Sequence, residues 1–382
     1  MRRSIKYKSF FRFKINSKNF LQAKRIEGVL IKTRGFNMRS SLLLLSFLIA
    51  GLTAEFSNAQ NYSSSPNGEA NDSITILAED YAFQAPDETS TAEQSTDVTL
   101  PDQGNLVEVT TTAMDFQVAD EISSGWTTFR YYNNSPLAHF FSLSKLPVVD
   151  GKQKTAQDEA DEAGDIYSAA LDSINAGNPK EAFAILENLP AWASEKIQFG
   201  GVGMLSPGEI GQTDVYLEPG VYLMECYIKT GGAFHAVMGM YANIIVTDRN
   251  SGASPPEPTL KMNISTTNGF ELDEDIAPGK HVLEVYFEDQ VSENGSGHDV
   301  HLVKLSEDSD LEKLGNWMIW RTPEGMSTPA PEGTFLGGVQ NLRAGERGYM
   351  TVDITPGRYA WISEGSNLAS RDLIQTFEVD DE

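Results

Sequence analysis

The chain has 382 residues, 40% of them hydrophobic, so it can bury a sizeable core and global disorder is excluded. Its 32 glycines and 17 prolines predict the many turns of an all-β protein. The net charge of −25 argues against non-specific binding to nucleic acid. A single cysteine excludes an internal disulfide and any zinc site built from several cysteines.

The start of the chain is basic, whereas the rest is strongly acidic. Residues 1–59 hold 12 of the 29 Lys and Arg, while residues 60–382 carry 17 basic and 52 acidic groups, a net charge of −35. Met38 begins a short basic segment, and an apolar run at 42–52 follows it. This pattern predicts a cleavable signal peptide that starts at Met38, with residues 1–37 as a basic extension. The run is too short to span a bilayer, so we predict a secreted or periplasmic protein with no membrane span after cleavage.

Two changes in composition divide the remainder of the chain. Residues 60–72 are rich in Ser, Asn and Gly and predict a flexible tether. Clustered Pro, Ser and Gly at 249–258 predict a linker between strand-rich regions. We therefore predict a first domain at 73–248 and a second at 259–382.

The two predicted domains resemble each other. Phe199–Tyr227 aligns with Leu336–Glu364 at a constant offset of 137 residues, with eleven identities and no gap. In a second alignment, His139 corresponds to His298. These matches predict two copies of one β unit.

Alternating polar and apolar residues around the Pro219-Gly220 turn predict antiparallel strands and a β-sandwich in each copy. Either 73–86 or 107–120 supplies the first strand of the first sandwich. Residues 155–190 contain Ala- and Glu-rich segments with apolar residues at helical spacing. They predict an α-helical hairpin inserted into the first sandwich.

The first copy concentrates soft and borderline metal ligands. They are His139, Cys226, His235 and Met240. A thiolate and two imidazoles form a trigonal site that accepts both oxidation states of copper, and a thioether can be its weak axial ligand. Met238 competes with Met240 for the axial position. The alternative interpretation is structural, because a lone cysteine at a strand end is usually a small buried hydrophobe.

The order of these residues resembles the cupredoxin superfamily, the blue-copper proteins such as plastocyanin and azurin. The flanking segments resemble it too: Gly125–Asn134 precedes the first histidine and Leu217–Tyr222 precedes the cysteine. The chain is most similar to uncharacterised secreted cupredoxin-like proteins, which carry the Pro-Ala-Trp-Ala motif found here at Pro190–Ala193.

This resemblance implies two tandem cupredoxin-like Greek-key β-sandwiches with a type 1-like site for one copper ion in the first. It implies that His139, Cys226 and His235 are equatorial ligands and that Met240 is axial. One departure is the eight-residue spacing between Cys226 and His235, which contains Gly231-Gly232 and predicts a flexible loop.

The predicted function is that of an exported electron carrier or copper-handling protein. Its acidic body favours a redox partner with a basic surface. The five histidines provide none of the His-x-His clusters of multicopper oxidases, so we expect no enzyme activity. In the second copy Ser363 replaces the cysteine, so this copy is expected to be metal-free, with His298 and His301 at the surface or in loops. The alternative function is a metal-free β-sandwich binding module.

Overall fold

The computed structural model describes residues 105–290, 297–364 and 373–381. The predicted signal peptide, the tether and the stretch 73–86 lie outside the described residues. The other candidate for the first strand, 107–120, overlaps strand β1, which spans Leu106–Thr111.

The described residues form nineteen strands and three α-helices, which confirms the prediction of an all-β protein with a helical insert. The helices are α1 (Ala156–Asn175), α2 (Pro179–Leu186) and α3 (Leu311–Trp317), and Ala191–Glu195 is a 3-10 helix. The strands are β1 (Leu106–Thr111), β2 (Glu121–Asn133), β3 (Ser142–Lys145), β4 (Val148–Val149), β5 (Lys152–Gln153), β6 (Ile197–Gln198), β7 (Ile210–Leu217), β8 (Gly220–Glu225), β9 (Lys229–Thr230), β10 (Ala233–Phe234), β11 (Tyr241–Asn250), β12 (Leu260–Ser265), β13 (Gly269–Leu272), β14 (Gly279–Phe287), β15 (Val300–Leu305), β16 (Thr334–Val339), β17 (Arg347–Ile354), β18 (Gly357–Ile362) and β19 (Ile374–Val379).

The main sheet contains strands from the first half of the described chain, residues 105–248, and from the second half, residues 259–381. Within the described residues it has eleven strands, in the order β13-β12-β14-β17-β7-β2-β11-β8-β3-β6, with β1 beside β2. The long strand β2 pairs through its first residues with β11 and through its later residues with β7 and β1. A second sheet has the order β16-β15-β18-β19. The predicted linker contributes residues 251–258, which lie in neither helix nor strand.

The two halves meet through pairs of residues that the sequence alignment makes equivalent. Strand β7 pairs antiparallel with β17, and Thr213 is opposite Met350, its counterpart at an offset of 137. Val202 likewise forms a β-bridge to Val339, which is also 137 residues away. When each residue is exchanged for its counterpart 137 positions away, the residue pairs on the two sides of each contact change places. The contact therefore has approximate two-fold symmetry. A β unit can form such a contact with a second copy of itself by using one surface twice.

Two glycines that the sequence alignment matches are required for the same steric reason, each within its own half of the chain. Gly201 and Gly338 are equivalent, and both have positive φ angles, 137° and 155°. A Cβ atom at Gly201 would overlap the carbonyl oxygen of Phe141, and one at Gly338 would overlap that of Val300. Only glycine fits where the backbones approach this closely.

The helical insert packs on the first half and reaches the second. Helix α1 begins after Thr155, whose hydroxyl accepts the Asp158 N–H while the Asp158 carboxylate accepts the Thr155 N–H. Its buried face packs on α2. Phe234 and Trp320 contact the same apolar cluster, so the insert lies against the segment between Cys226 and His235 as well as against the second half. Among the described residues, no helix is long and apolar enough to cross a bilayer.

One buried carboxyl group lies beside the contact between the halves and gives a pH-dependent prediction. Asp214 on β7 is 6% exposed, accepts a hydrogen bond from the Thr128 hydroxyl, and has a second oxygen without a partner in the described part of the chain. Burial raises the pKa of Asp214 from 3.8 to about 6. Between these two values the folded protein keeps a proton that the unfolded chain has lost, so the contribution of Asp214 to stability falls as the pH rises and levels off above pH 6.

The change in the free energy of unfolding caused by Asp214→Asn, relative to wild type, should therefore be more stabilising at pH 7.5 than at pH 4. A pKa raised by about 2 units corresponds to about 2 to 3 kcal/mol in the free energy of unfolding between these pH values. Urea unfolding of wild type and variant at both pH values measures the difference. The exposed Asp353→Asn change on β17 is the control, and equal effects of the two substitutions at both pH values would contradict the prediction.

Candidate metal centre

Four predicted ligands come from three separate parts of the first half. His139 precedes β3 and is held by paired backbone hydrogen bonds to Leu205, with N···O distances of 3.1 and 2.8 Å. Cys226 follows β8, His235 follows β10, and Met240 precedes β11. All four side chains are fully buried.

The structure brings the three equatorial candidates together. The Cys226 Sγ lies 3.8 Å from the Nδ1 of His139 and 3.6 Å from the Nδ1 of His235, and the two Nδ1 atoms are 3.2 Å apart. Metal bonds of about 2.0 Å to nitrogen and about 2.3 Å to sulfur in a trigonal arrangement require separations of roughly 3.5 to 3.7 Å. The observed separations of 3.2 to 3.8 Å lie within about 0.3 Å of this range, so the donor set and its spacing fit one metal ion after a small adjustment.

The segment between Cys226 and His235 is a β-hairpin instead of the flexible loop that its length and glycines predict. Strands β9 and β10 pair around Gly231-Gly232, whose φ angles are 61° and 83°. The Ala236 N–H donates to the carbonyl of Cys226 at 2.7 Å. The His235 N–H donates to the carbonyl of Ile228 at 2.8 Å. The eight residues between Cys226 and His235 thus form a hairpin that holds these two candidate ligands next to each other.

Burial also distinguishes the two methionines. The Met240 N–H donates to the carbonyl of His235 at 2.9 Å, and the Cys226 N–H donates to the carbonyl of Met240 at 3.4 Å. Met240 is therefore tied by its backbone to two of the predicted ligands. Met238 is 48% exposed, which makes it the poorer candidate for an axial ligand.

The buried site favours uncharged side chains until a cation enters it. Burial lowers the pKa of His139 to about 4, and burial together with His139 lowers that of His235 to about 3. Burial raises the pKa of the Cys226 thiol to about 12. Both imidazoles are thus neutral and ready to coordinate at physiological pH. A bound metal ion would replace the thiol proton, because a coordinating thiol is deprotonated.

A hydrogen-bond chain orients the second histidine. The His235 Nε2 lies 2.9 Å from the Thr230 hydroxyl, which in turn lies 2.8 Å from the hydroxyl of Thr328. An Nε2–H that donates to Thr230 leaves the lone pair on Nδ1, which faces Cys226. The His139 Nε2 is buried and has no hydrogen-bond partner within the described ranges.

A buried lysine that the sequence analysis missed anchors the hairpin to the second half. The Lys229 side chain is fully buried, and its ammonium donates to the carbonyls of Trp320 and Thr322 at 3.0 and 2.6 Å. Burial lowers the pKa of Lys229 to about 8. In the sequence this lysine looks like an ordinary surface residue, and nothing near it in the chain indicates its partners.

The second half contains a buried polar network that includes His301. His298 and His301 were expected at the surface or in loops. His298 does lie in a loop before β15, although it is 3% exposed, whereas the prediction was wrong for His301, which is fully buried within β15. The His301 Nε2 lies 3.0 Å from the carboxylate of Asp299, and the carboxyl group of Glu364 lies 3.9 Å from the same nitrogen. The Tyr227 hydroxyl, next in sequence to Cys226, donates to Glu364 at 3.0 Å.

Asp299, His301 and Glu364 form a proton-sharing network, although the number and spacing of these groups resemble a metal site. The His301 Nδ1 accepts the Met204 N–H at 3.0 Å, so the ring proton is on Nε2 and points at Asp299. A metal on Nε2 would have to displace that proton. Burial opposes ionisation of Asp299, but His301 and several hydrogen bonds hold the pKa of Asp299 below its usual value. Burial and the adjacent Asp299 raise the pKa of Glu364 well above its usual value.

Comparison with known proteins gives structural neighbours among the copper proteins. No protein-family model matches the chain, and no curated protein matches it. Auracyanin from Roseiflexus castenholzii is 18% identical, with 37% of this chain and 97% of that one covered and a TM-score of 0.23. Auracyanin A from Chloroflexus aurantiacus, a "blue" copper protein, is 21% identical, with 37% and 98% covered and a TM-score of 0.23. The copper-containing nitrite reductase of Thermus scotoductus is 11% identical, with 72% and 61% covered and a TM-score of 0.18.

Proposed function

We propose that this protein binds one copper ion at His139, Cys226 and His235 and uses it for electron transfer or copper handling. The observation that supports the proposal is the convergence of one sulfur and two Nδ1 atoms, all fully buried, within 3.8 Å of one another. Soft thiolate and borderline imidazole ligands suit copper in both oxidation states. We propose Met240 as the weak axial ligand.

Each residue around the ion would have a definite task. When bound, copper supplies one-electron chemistry. Cys226 provides the thiolate, and the imidazoles of His139 and His235 are held neutral by burial. The hydrogen bond to Thr230 fixes the ring of His235, and the hairpin fixes its backbone. Ligands held this firmly change position little when the charge of the ion changes, which keeps the barrier to electron transfer low.

The proposed location and partner follow from the charge distribution of the chain. We infer that the signal segment beginning at Met38 directs export, so that the acidic part of the chain acts outside the cytoplasm. A net charge of −35 on residues 60–382 would steer a basic redox protein towards it. Since the histidines cannot form a second copper cluster of the oxidase type, we propose a carrier and not an oxidase.

A copper titration followed by visible absorption tests the proposal. Wild-type protein should take up one equivalent of Cu(II) and develop an intense band from charge transfer between the thiolate and the ion. Ascorbate should bleach the band and a mild oxidant should restore it. Replacing Cys226 with Ser should abolish the band, because a hydroxyl cannot supply this transition.

Met238→Leu is the matched control, because this exposed methionine lies in the same segment and should leave the band unchanged. A Cys226→Ser variant that keeps the colour and affinity of the wild type would refute the copper site. Wild-type protein that stays colourless with Cu(II) would favour the alternative, a metal-free binding module.

A further inference from the structure

A cavity lies beside the candidate metal centre, between the helical insert, the hairpin and the second half of the chain. Its volume is about 190 Å³. Glu225 and Tyr227, the two sequence neighbours of Cys226, both contribute to its wall. Val237, 37% exposed, lies at its edge and gives a point from which it can be blocked.

Most of the wall is apolar and much of it is aromatic. The lining includes Leu171 and Ile174 of α1, Phe234 of the hairpin and Trp320 of the second half. The rings of Phe234 and Trp320 are 5.9 Å apart, and those of Tyr227 and Phe234 are 6.5 Å apart. Such a wall suits an apolar ring, and the faces of its aromatic residues also attract cations.

The polar part of the wall contains one carboxyl group, that of Glu225. Burial raises the pKa of Glu225 above its usual value, and Lys196 opposes this rise. The ammonium of Lys196, however, is paired with the carboxylate of Glu159 at 2.7 Å, and the hydroxyl of Tyr167, another lining residue, donates to the same oxygen. The second oxygen of Glu159 is buried without a hydrogen-bond partner among the described residues. Lys196 is thus already paired with Glu159, and no ion pair to Glu225 is found among the described residues.

We propose that this cavity binds a small organic cation, a primary amine that carries one aromatic ring. The ammonium of the ligand would meet the carboxylate of Glu225, and the ring would lie among Phe234, Trp320 and Leu171. The size agrees, since a cavity of about 150 Å³ holds benzene and the remaining volume admits a short aminoalkyl chain. The site does not depend on copper, because none of these contacts involves a proposed ligand atom.

Calorimetry on metal-free protein separates the charge of the ligand from its shape. The probes are 2-phenylethylamine, the neutral 2-phenylethanol and the anionic 3-phenylpropanoate. We expect the amine to bind at least about tenfold more tightly than the alcohol, as a hydrogen bond between charged groups allows, and the anion to bind least. Equal affinities for amine and alcohol, or no binding of any probe, would overturn the proposal.

Two variants place the ligand within the cavity. Glu225→Gln should reduce amine binding to that of the alcohol and leave the alcohol almost unchanged, whereas Glu378→Gln, at an exposed site on β19, should change neither. Val237→Trp should block both ligands, and its exposed position makes unfolding unexpected. Binding that survives Val237→Trp in a folded protein would overturn this location. Because copper is absent throughout, the result is independent of the titration that tests the metal centre.

Discussion

Cu(II) is expected to raise the free energy of unfolding of the metal-free protein by about 4 kcal/mol when the free ion exceeds its dissociation constant a thousandfold. The folded state presents three ligand atoms within 3.8 Å, whereas the unfolded chain separates His139 from Cys226 by 87 positions. The ion thus binds the folded state far more tightly. Urea unfolding with and without Cu(II) measures the gain, and the slope of the transition should stay constant.

Single substitutions show whether this stabilisation comes from the proposed ligands. His139→Ala should lose most of the gain, because the remaining Cys226 and His235 are near neighbours in sequence and retain affinity for copper in the unfolded chain. Cys226→Ser should also lose most of it, while Met238→Leu should keep it. A gain that persists in both ligand variants would place the bound copper elsewhere on this acidic protein.

The sequence was sufficient to predict that Cys226 lies beside His139 and His235, because local patterns mark the segments that carry them. Cys226 ends an alternating strand after a Pro-Gly turn, and His235 and Met240 follow it at a short distance. The helical insert could also be predicted, since apolar residues at helical spacing define α1. Local periodicity determines elements of this kind before any tertiary contact forms.

The pairing of the two halves and the polar network could not be predicted in this way. Asp299 and Glu364 are 65 positions apart, and in a chain with 54 acidic residues a buried carboxylate looks like any exposed one. Gly231-Gly232 predicted flexibility because glycine pairs usually do, but in the structure they form the turn of a hairpin. Tertiary contacts decide both outcomes.

A hydrogen bond from Tyr227 joins the polar network of the second half to the segment that carries Cys226. Tyr227 follows Cys226, and its counterpart at an offset of 137 is Glu364, the residue to which its hydroxyl donates. Two positions that the sequence alignment matches therefore meet across the contact with different side chains. The hydrogen bond links the segment that carries the thiol to Asp299 and His301.

Replacing Asp299 with Ala is expected to lower the free energy of unfolding by about 3 to 5 kcal/mol, because each buried donor that loses its acceptor costs about 1 to 3 kcal/mol. Its carboxylate accepts the Ser363 hydroxyl at 2.7 Å, the Glu364 N–H at 2.7 Å and the His301 Nε2–H at 3.0 Å. Alanine would leave the Glu364 N–H and the His301 Nε2–H buried without this acceptor, while the Ser363 hydroxyl keeps the carbonyl of Glu364 at 3.2 Å. Urea unfolding of the metal-free protein measures the loss.

Asp308→Ala is the matched control, because this aspartate is exposed in the same half and its loss should change stability by less than about 0.5 kcal/mol. The Asp299→Ala protein, where it remains folded, should still develop the wild-type copper band, since His139, Cys226 and His235 keep their own contacts. A loss below about 1 kcal/mol would mean that water replaces the missing acceptor. The expected loss of about 3 to 5 kcal/mol together with an unchanged band would separate two roles. The network would then stabilise the contact between the halves, and the first half alone would supply the ligands.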